Sequence, residues 1–274
     1  MAYKTILVSL NDVPRVDAMI DAAAQIAKTY DSHLIGCYVI PAVTIYPEVY
    51  AVDDTRQQYF KTNIAVVKER FEAILRRDGL KGEWRTVNTV YSEIAPSLME
   101  HGRAADLIVV SQIAEDQMAN IEPGLVERAV MESGRPVLII PRKGTLGEIK
   151  SVVVGFNATR EATRALFDGL PFLRGAKDVR VVWVDPYKER SVAGEVPGAE
   201  AAEALARHGV KATAEGLAAG GANAGEALLQ HVNDLGAELL IMGAYAHSRM
   251  REYIFGGATQ HVLAHAKVPV LMSH

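Results

Sequence analysis

Short, continuously apolar runs alternate along the whole chain with longer stretches in which apolar residues recur every three or four positions. Runs such as Val152-Val153-Val154 and Leu239-Leu240-Ile241-Met242 contain no polar residue. Strands of that kind are buried on both faces, as in a parallel sheet covered by helices, whereas an antiparallel sandwich would alternate. The pattern predicts an α/β fold with five strands and four helices in each half. In the second half the strands are expected near 150–155, 179–184, 211–215, 238–243 and 269–272, with helices between them.

The two halves repeat one another. Tyr3-Lys4-Thr5-Ile6-Leu7-Val8-Ser9-Leu10-Asn11 aligns with Ile149-Lys150-Ser151-Val152-Val153-Val154-Gly155-Phe156-Asn157. Ala105-Asp106-Leu107-Ile108-Val109-Val110-Ser111 parallels Ala237-Glu238-Leu239-Leu240-Ile241-Met242-Gly243, and Arg135-Pro136-Val137-Leu138-Ile139-Ile140 parallels Val268-Pro269-Val270-Leu271-Met272-Ser273. The polar stretch Pro141 to Gly147 reads as the linker, which gives domains over 1–143 and 147–274. The halves differ most after the second strand, where the first has an extra segment, Pro41 to Tyr59, with Tyr46, Tyr50, Tyr59 and Phe60 in or beside it. That segment reads equally as a loop packed on the core or as a contact surface, for a homodimer or between the domains.

Composition removes some partners. A formal net charge of −4 offers no basic surplus for a phosphate backbone, so nucleic acid is not expected. No apolar run reaches the length of a membrane span, and the first residues lack the regions of a signal peptide, so no membrane partner and a cytoplasmic location are expected. The single cysteine, Cys37, lies in an apolar run and reads as core.

In a doubly wound sheet, ligands sit at the carboxyl ends of the strands, where the chain order reverses. In the second half that rule selects Gly155-Phe156-Asn157-Ala158-Thr159 and the loop beginning Gly243-Ala244-Tyr245-Ala246-His247-Ser248-Arg249. The last helix follows Phe255-Gly256-Gly257-Ala258-Thr259. Free backbone N–H groups and the positive end of the helix dipole would favour an anion there, while the alternative is an ordinary turn and helix start. Arg249, Arg251 and His247 either add charge for a polyphosphate or form a solvated surface.

Gly243, the later Gly256-Gly257-Ala258-Thr259 and the ending Val268-Pro269-Val270-Leu271-Met272 resemble the universal stress protein family, whose nucleotide-binding members carry G-x2-G-x9-G-[ST]. The resemblance spans nearly the entire chain, twice, and matches the tandem type. It implies two doubly wound domains, each a five-stranded parallel sheet of order 3-2-1-4-5 with helices on both faces, and ATP between strands one and four. Carried across, the family's acidic residue after strand one falls on Asn157, and the backbone position near adenine on Val184. The motif glycines fall on Gly243, Ala246 and Gly256, and the small hydroxyl on Gly257, with Thr259 two further on. Ala246 and Gly257 depart from the pattern, and the missing hydroxyl removes a phosphate hydrogen bond of roughly 1 kcal/mol.

The first half departs further. Ser111 replaces Gly243, Glu115 and Asp116 stand where phosphates would need cations, and Pro123-Gly124-Leu125-Val126 replaces the glycine loop. A nucleotide is not expected there. The glycine-rich Gly216 to Gly225 lacks the Gly-Lys-Ser/Thr ending of a phosphate loop and reads as a flexible connection. His261 and His265 have metal-ligand spacing but no third ligand in the sequence around them. His208 and His231 lie on other predicted helices.

The resulting expectation is a stress-response protein that binds an adenine nucleotide, ATP-like and with Mg²⁺ as an accompanying ion, through Phe156, Asn157, Val184, Gly243, Ala246, Arg249, Gly256, Gly257, Ala258 and Thr259. No catalytic base, carboxylate pair or serine elbow is arranged for an enzyme, although slow ATP hydrolysis is compatible with binding. The rival reading is a tandem interaction module that docks a partner with both crevices empty. The two halves are expected to pair as an intramolecular pseudo-dimer.

Overall fold

The computed structural model describes residues 2–46, 51–113, 122–185, 198–245 and 257–274. It divides into two compact units, Ala2–Leu146 and Gly147–His274.

The first unit runs β1 (Thr5–Ser9), a short 3-10 turn (Val13–Arg15), α1 (Val16–Tyr30), β2 (His33–Ile40), β3 (Thr44–Tyr46), β4 (Ala51–Asp53), α2 (Thr55–Asp78), β5 (Gly82–Asn88), α3 (Ala95–Gly102), β6 (Leu107–Ser111), α4 (Leu125–Glu132) and β7 (Val137–Ile140). Five strands form a parallel sheet in the order β5-β2-β1-β6-β7. The middle residues of the inner strands are apolar because helices cover both faces, and Ile6, Leu7 and Val8 are completely buried. At the edge, β5 alternates between half-buried and exposed residues over most of its length.

Part of the extra segment is an antiparallel hairpin, β3 with β4. The α2 helix follows, burying only Phe60, Val67 and Phe71 on a narrow stripe. Phe60 is fully buried, stands edge-on to Tyr38, and accepts the Tyr38 hydroxyl on its carbonyl at 3.0 Å. For Phe60, then, packing on the core is the outcome; the side chain of Tyr46 and all of Tyr50 lie outside the described residues. Gly36 on β2 is required by the same packing, since a β-carbon there would stand 2.9 Å from the Phe71 ring. Cys37 is buried in this core, and burial pushes its thiol up to about 12.

The second unit runs β8 (Ser151–Gly155), α5 (Arg160–Asp168), α6 (Leu170–Gly175), β9 (Asp178–Val184), α7 (Ala199–Arg207), β10 (Ala212–Leu217), α8 (Ala224–Leu235), β11 (Leu239–Gly243), α9 (Ala258–His265) and β12 (Val270–Ser273). Its strands are parallel in the order β10-β9-β8-β11-β12. Each sheet thus reads 3-2-1-4-5.

The described residues hold five helices here rather than the expected four. The first is broken into α5 and α6, because Pro171 in the first turn of α6 has no N–H to continue the ladder. At the break, a β-carbon on Gly169 would come within 2.6 Å of Ile241 Cδ1.

The repeat extends to hydrogen bonding. In the first unit the Asp106 carboxylate accepts the N–H groups of Lys4 and Thr5 at 2.8 and 2.9 Å. In the second, Glu238 accepts those of Lys150 and Ser151 at 2.9 and 2.6 Å. The acidic residue ahead of strand four ties down the start of strand one in both, which leaves the opposite, carboxyl ends of the strands for a ligand.

Candidate functional site

In the second unit the order reverses at β8, which lies between β9 and β11. The loops leaving these three strands carry the unusual backbone. Of four non-glycine residues with positive φ among the described residues, three sit there: Ala158 (φ 55°), Asp185 (φ 47°) and Tyr245 (φ 56°). Each costs on the order of 1 kcal/mol and needs surrounding contacts to hold it.

Those contacts are visible. Phe156 extends β8 by donating its N–H to Val182 O at 2.9 Å, and its ring stands edge-on to Trp183. Asn157, half-buried, accepts the Thr159 hydroxyl on Oδ1 at 2.8 Å, and Thr159 caps α5 by accepting the Ala162 N–H at 3.3 Å. Val184 ends β9 beside Leu217 of β10. Just after it, Asp185 accepts the Ala219 N–H at 3.0 Å, joining the β9 and β10 exits. The strain at Ala158 gives a simple test. Ala158→Gly relieves it and is expected to raise stability by about 0.5–1 kcal/mol, seen as a higher midpoint in thermal melts; an unchanged or lower midpoint would show no strain to relieve.

Gly243 ends β11 against the first turn of α5. A β-carbon there would lie 2.4 Å from Ala162 N and 2.5 Å from Glu161 C, both backbone atoms. The first motif glycine is therefore demanded by packing, whatever it does for a ligand. Beyond it, the Tyr245 N–H donates to Thr259 Oγ1 at 3.1 Å. Thr259 is only 2 % exposed, so its hydroxyl clamps the β11 exit to the start of α9.

Gly257 stands at the N-cap of α9 with φ −52° and ψ 158°, and among the described residues no side chain caps this helix. Its φ is ordinary, so a larger residue fits the backbone. Two other helix starts at this end of the sheet are closed by their own turns, while α7, after β9, has Gly198 at its N-cap and no side-chain cap. Thr159 caps α5, and Asn223 caps α8 by accepting the N–H groups of Gly225 and Glu226 at 2.8 and 3.1 Å. Phe156, Asn157, Val184, Gly243, Gly257, Ala258 and Thr259 thus gather at the carboxyl end of one sheet, whereas Ala246, His247, Arg249, Arg251 and Gly256 lie outside the described residues.

One residue was missed by sequence reasoning. Gly225 closes the glycine-rich stretch taken for a flexible connection, and a β-carbon on it would meet Ala258 O at 2.5 Å and Ala258 Cα at 3.0 Å. It lets α8 approach the first turn of α9. The signal available was its place: a glycine just inside a helix start, next to an Asn cap. Gly220 and Gly221 before it do serve a turn, with φ of 63° and 97°.

The matching end of the first unit is filled by its own polar side chains. Asn11, aligned with Asn157, is 1 % exposed and pairs with the Val39 backbone, donating to its carbonyl at 2.7 Å and accepting its N–H at 3.0 Å. Asp12 is buried beside Ser111, Arg15 and Arg142. Burial raises its carboxyl above the usual range, with the Ser111 hydrogen bond and the two guanidinium groups pulling the other way. Gln112 accepts the Arg142 N–H at 2.8 Å.

Elsewhere, His265 and His261 stack with centroids 4.3 Å apart, and His231 pairs with Glu215 at 2.8 Å. Among the described residues no three His, Cys, Asp or Glu side chains are grouped to hold a metal, and no helix is long and apolar enough to cross a membrane.

The comparisons with known proteins agree with this fold. Residues 148–274 match the universal stress protein family. A universal stress protein from Archaeoglobus fulgidus DSM 4304 superposes with a TM-score of 0.72 at 15% identity, covering 98% of this chain and 95% of that one. A functionally unknown protein from Pseudomonas aeruginosa PAO1 gives a TM-score of 0.63 at 14% identity, covering 99% and 92%. An Archaeoglobus fulgidus universal stress protein in complex with dAMP is 14% identical, covering 51% of this chain and 98% of that one, with a TM-score of 0.36. Among curated proteins none matches by sequence. The family match covers the second unit, residues 148–274, and both units share the fold of the Archaeoglobus fulgidus universal stress protein.

Proposed function

We propose that the second unit binds an adenine nucleotide at the carboxyl ends of β8 and β11, with the phosphates over the start of α9. One observation carries the reading: of the two helices that start after β8 and β11, the strands that flank the switch point, α9 is the one without a side-chain cap among the described residues. Its first N–H groups and dipole suit an anion, and the crevice is the switch point of the sheet. The adenine nucleotide, ATP-like, is what the family motif implies at these positions. Asn157 in place of an acidic residue keeps an oxygen for a ribose hydroxyl and drops the charge. Ala246, Arg249 and Gly256 complete the set by sequence position, and Mg²⁺ would accompany a triphosphate. The role is that of a binding protein in a stress response.

Freshly purified protein, denatured and cleared, is expected to release an adenine nucleotide at close to one per chain. Gly257→Leu should lose it, because the side chain fills the space over the α9 amides without straining an ordinary φ. The matching residue Gly124 has φ 78°, so Gly124→Asn, which tolerates that conformation, is the proper comparison and should leave binding intact. An empty supernatant together with no thermal shift on added ATP would overturn the reading. Equal loss from both variants would overturn its placement in the second unit.

A further inference from the structure

The first unit holds an anion of its own at the crevice end of its sheet. Glu122, just ahead of α4, is 5 % exposed. Its two oxygens accept the N–H groups of Ile94 and Ala95, the latter at 2.9 Å. Those are the first amides of α3, whose N-cap residue, Ile94, has no side chain able to cap it. Two guanidinium groups flank the same carboxylate. Arg56 Nη2 lies 3.6 Å from Oε2, and Arg128 Nη1 lies 3.9 Å from Oε1. Arg128 also holds Glu93 at 2.5 Å and Glu132 at 3.5 Å.

The repeat shows that this arrangement is particular to the first unit. The equivalent helix of the second, α8, is capped from its own turn by Asn223, and three residues before α9 the sequence has Phe255 where Glu122 stands before α4. A cap supplied by an adjacent side chain needs no arginines. Here two amide donors and two cations converge on one buried carboxylate, the donor set used for small oxyanions.

We propose that Glu122 is a resident anion: its carboxylate fills a small-oxyanion site made by the Ile94 and Ala95 amides with Arg56 and Arg128, and closes that point of the first unit to free carboxylate or phosphate. The inference is independent of what the second unit binds. Truncation to alanine should vacate the site, leaving a space lined by donors and large enough for formate or acetate.

The test uses the full-length chain carrying Glu122→Ala with Trp183→Phe, so that Trp84 alone reports on the first unit. Its thermal midpoint is followed against formate and acetate, with chloride at equal ionic strength as the reference. The midpoint is expected to rise saturably, by roughly 4 °C or more at tenfold excess over half-saturation, while the chain retaining Glu122 does not respond. Adding Arg128→Ala should abolish the response. If the alanine variant is unfolded without added anion, refolding on formate supports the site. A variant that stays unfolded, or responds no more than the parent, overturns it.

Discussion

Replacing Gly243 by valine is expected to destabilise the second unit strongly while the first keeps its stability. The reason is the packing of the β11 end against the first turn of α5, where a β-carbon would press on backbone atoms of Ala162 and Glu161 at 2.4–2.8 Å. Overpacking against movable side chains costs about 1–3 kcal/mol. Backbone held by the Thr159 cap cannot swing aside, so the cost should reach at least about 3 kcal/mol, a large share of the 5–15 kcal/mol typical of a domain. The two tryptophans separate the units, since Trp84 lies on β5 and Trp183 on β9. With Trp84→Phe, Trp183 fluorescence should show a midpoint lowered by roughly 10 °C or more. A midpoint within about 2 °C of the parent would mean that α5 can withdraw at little cost. The first unit has a side chain here, Ser111. It ends β6 in the corresponding place, and its hydroxyl receives Arg15 Nη1 at 3.3 Å. Loss of nucleotide in any Gly243 variant consequently says little about the phosphates until folding has been measured.

The features legible in the sequence are those fixed by burial and by the repeat. Unbroken apolar runs marked the inner strands because helices cover both their faces, and the five strands of the second half fall within two residues of expectation. The broken first helix was less visible. Pro171 was there to read, but a proline is compatible with a helix start as well as a helix end. At the crevice, aligned residues turned out to do different work. Asn11 and Asn157 occupy the same repeat position, yet one is paired with the neighbouring strand's backbone and the other with Thr159. Thr259 read as a hydroxyl for phosphate, and its oxygen is engaged by the Tyr245 N–H. Such hydrogen-bond choices depend on loop backbone, above all the positive φ at Ala158 and Tyr245, which the residue types there do not announce. Glu122 was passed over because its partners, Ile94, Ala95, Arg56 and Arg128, are scattered through the chain.

Gly225→Val should weaken nucleotide binding by tenfold or more while leaving the second unit folded. The prediction rests on the proposed site. Gly225 sits in the first turn of α8, and its missing β-carbon admits the carbonyl of Ala258, the first residue of α9. A valine side chain must push the two helix starts apart. The α8 start is anchored to Asn223, whereas the α9 start has no side-chain cap among the described residues, so α9 is the one expected to move. Its amides then leave the position from which they would meet a phosphate, and a 1.4 kcal/mol loss of that interaction is a tenfold rise in Kd. Gly175→Ala is the matched control, because a β-carbon there meets nothing within 4 Å. Equilibrium titration with ATP would compare the two, with Trp183 fluorescence confirming that both are folded. Unaltered affinity in a folded Gly225→Val chain would show that the phosphates do not rest on α9, even if the crevice binds the adenosine.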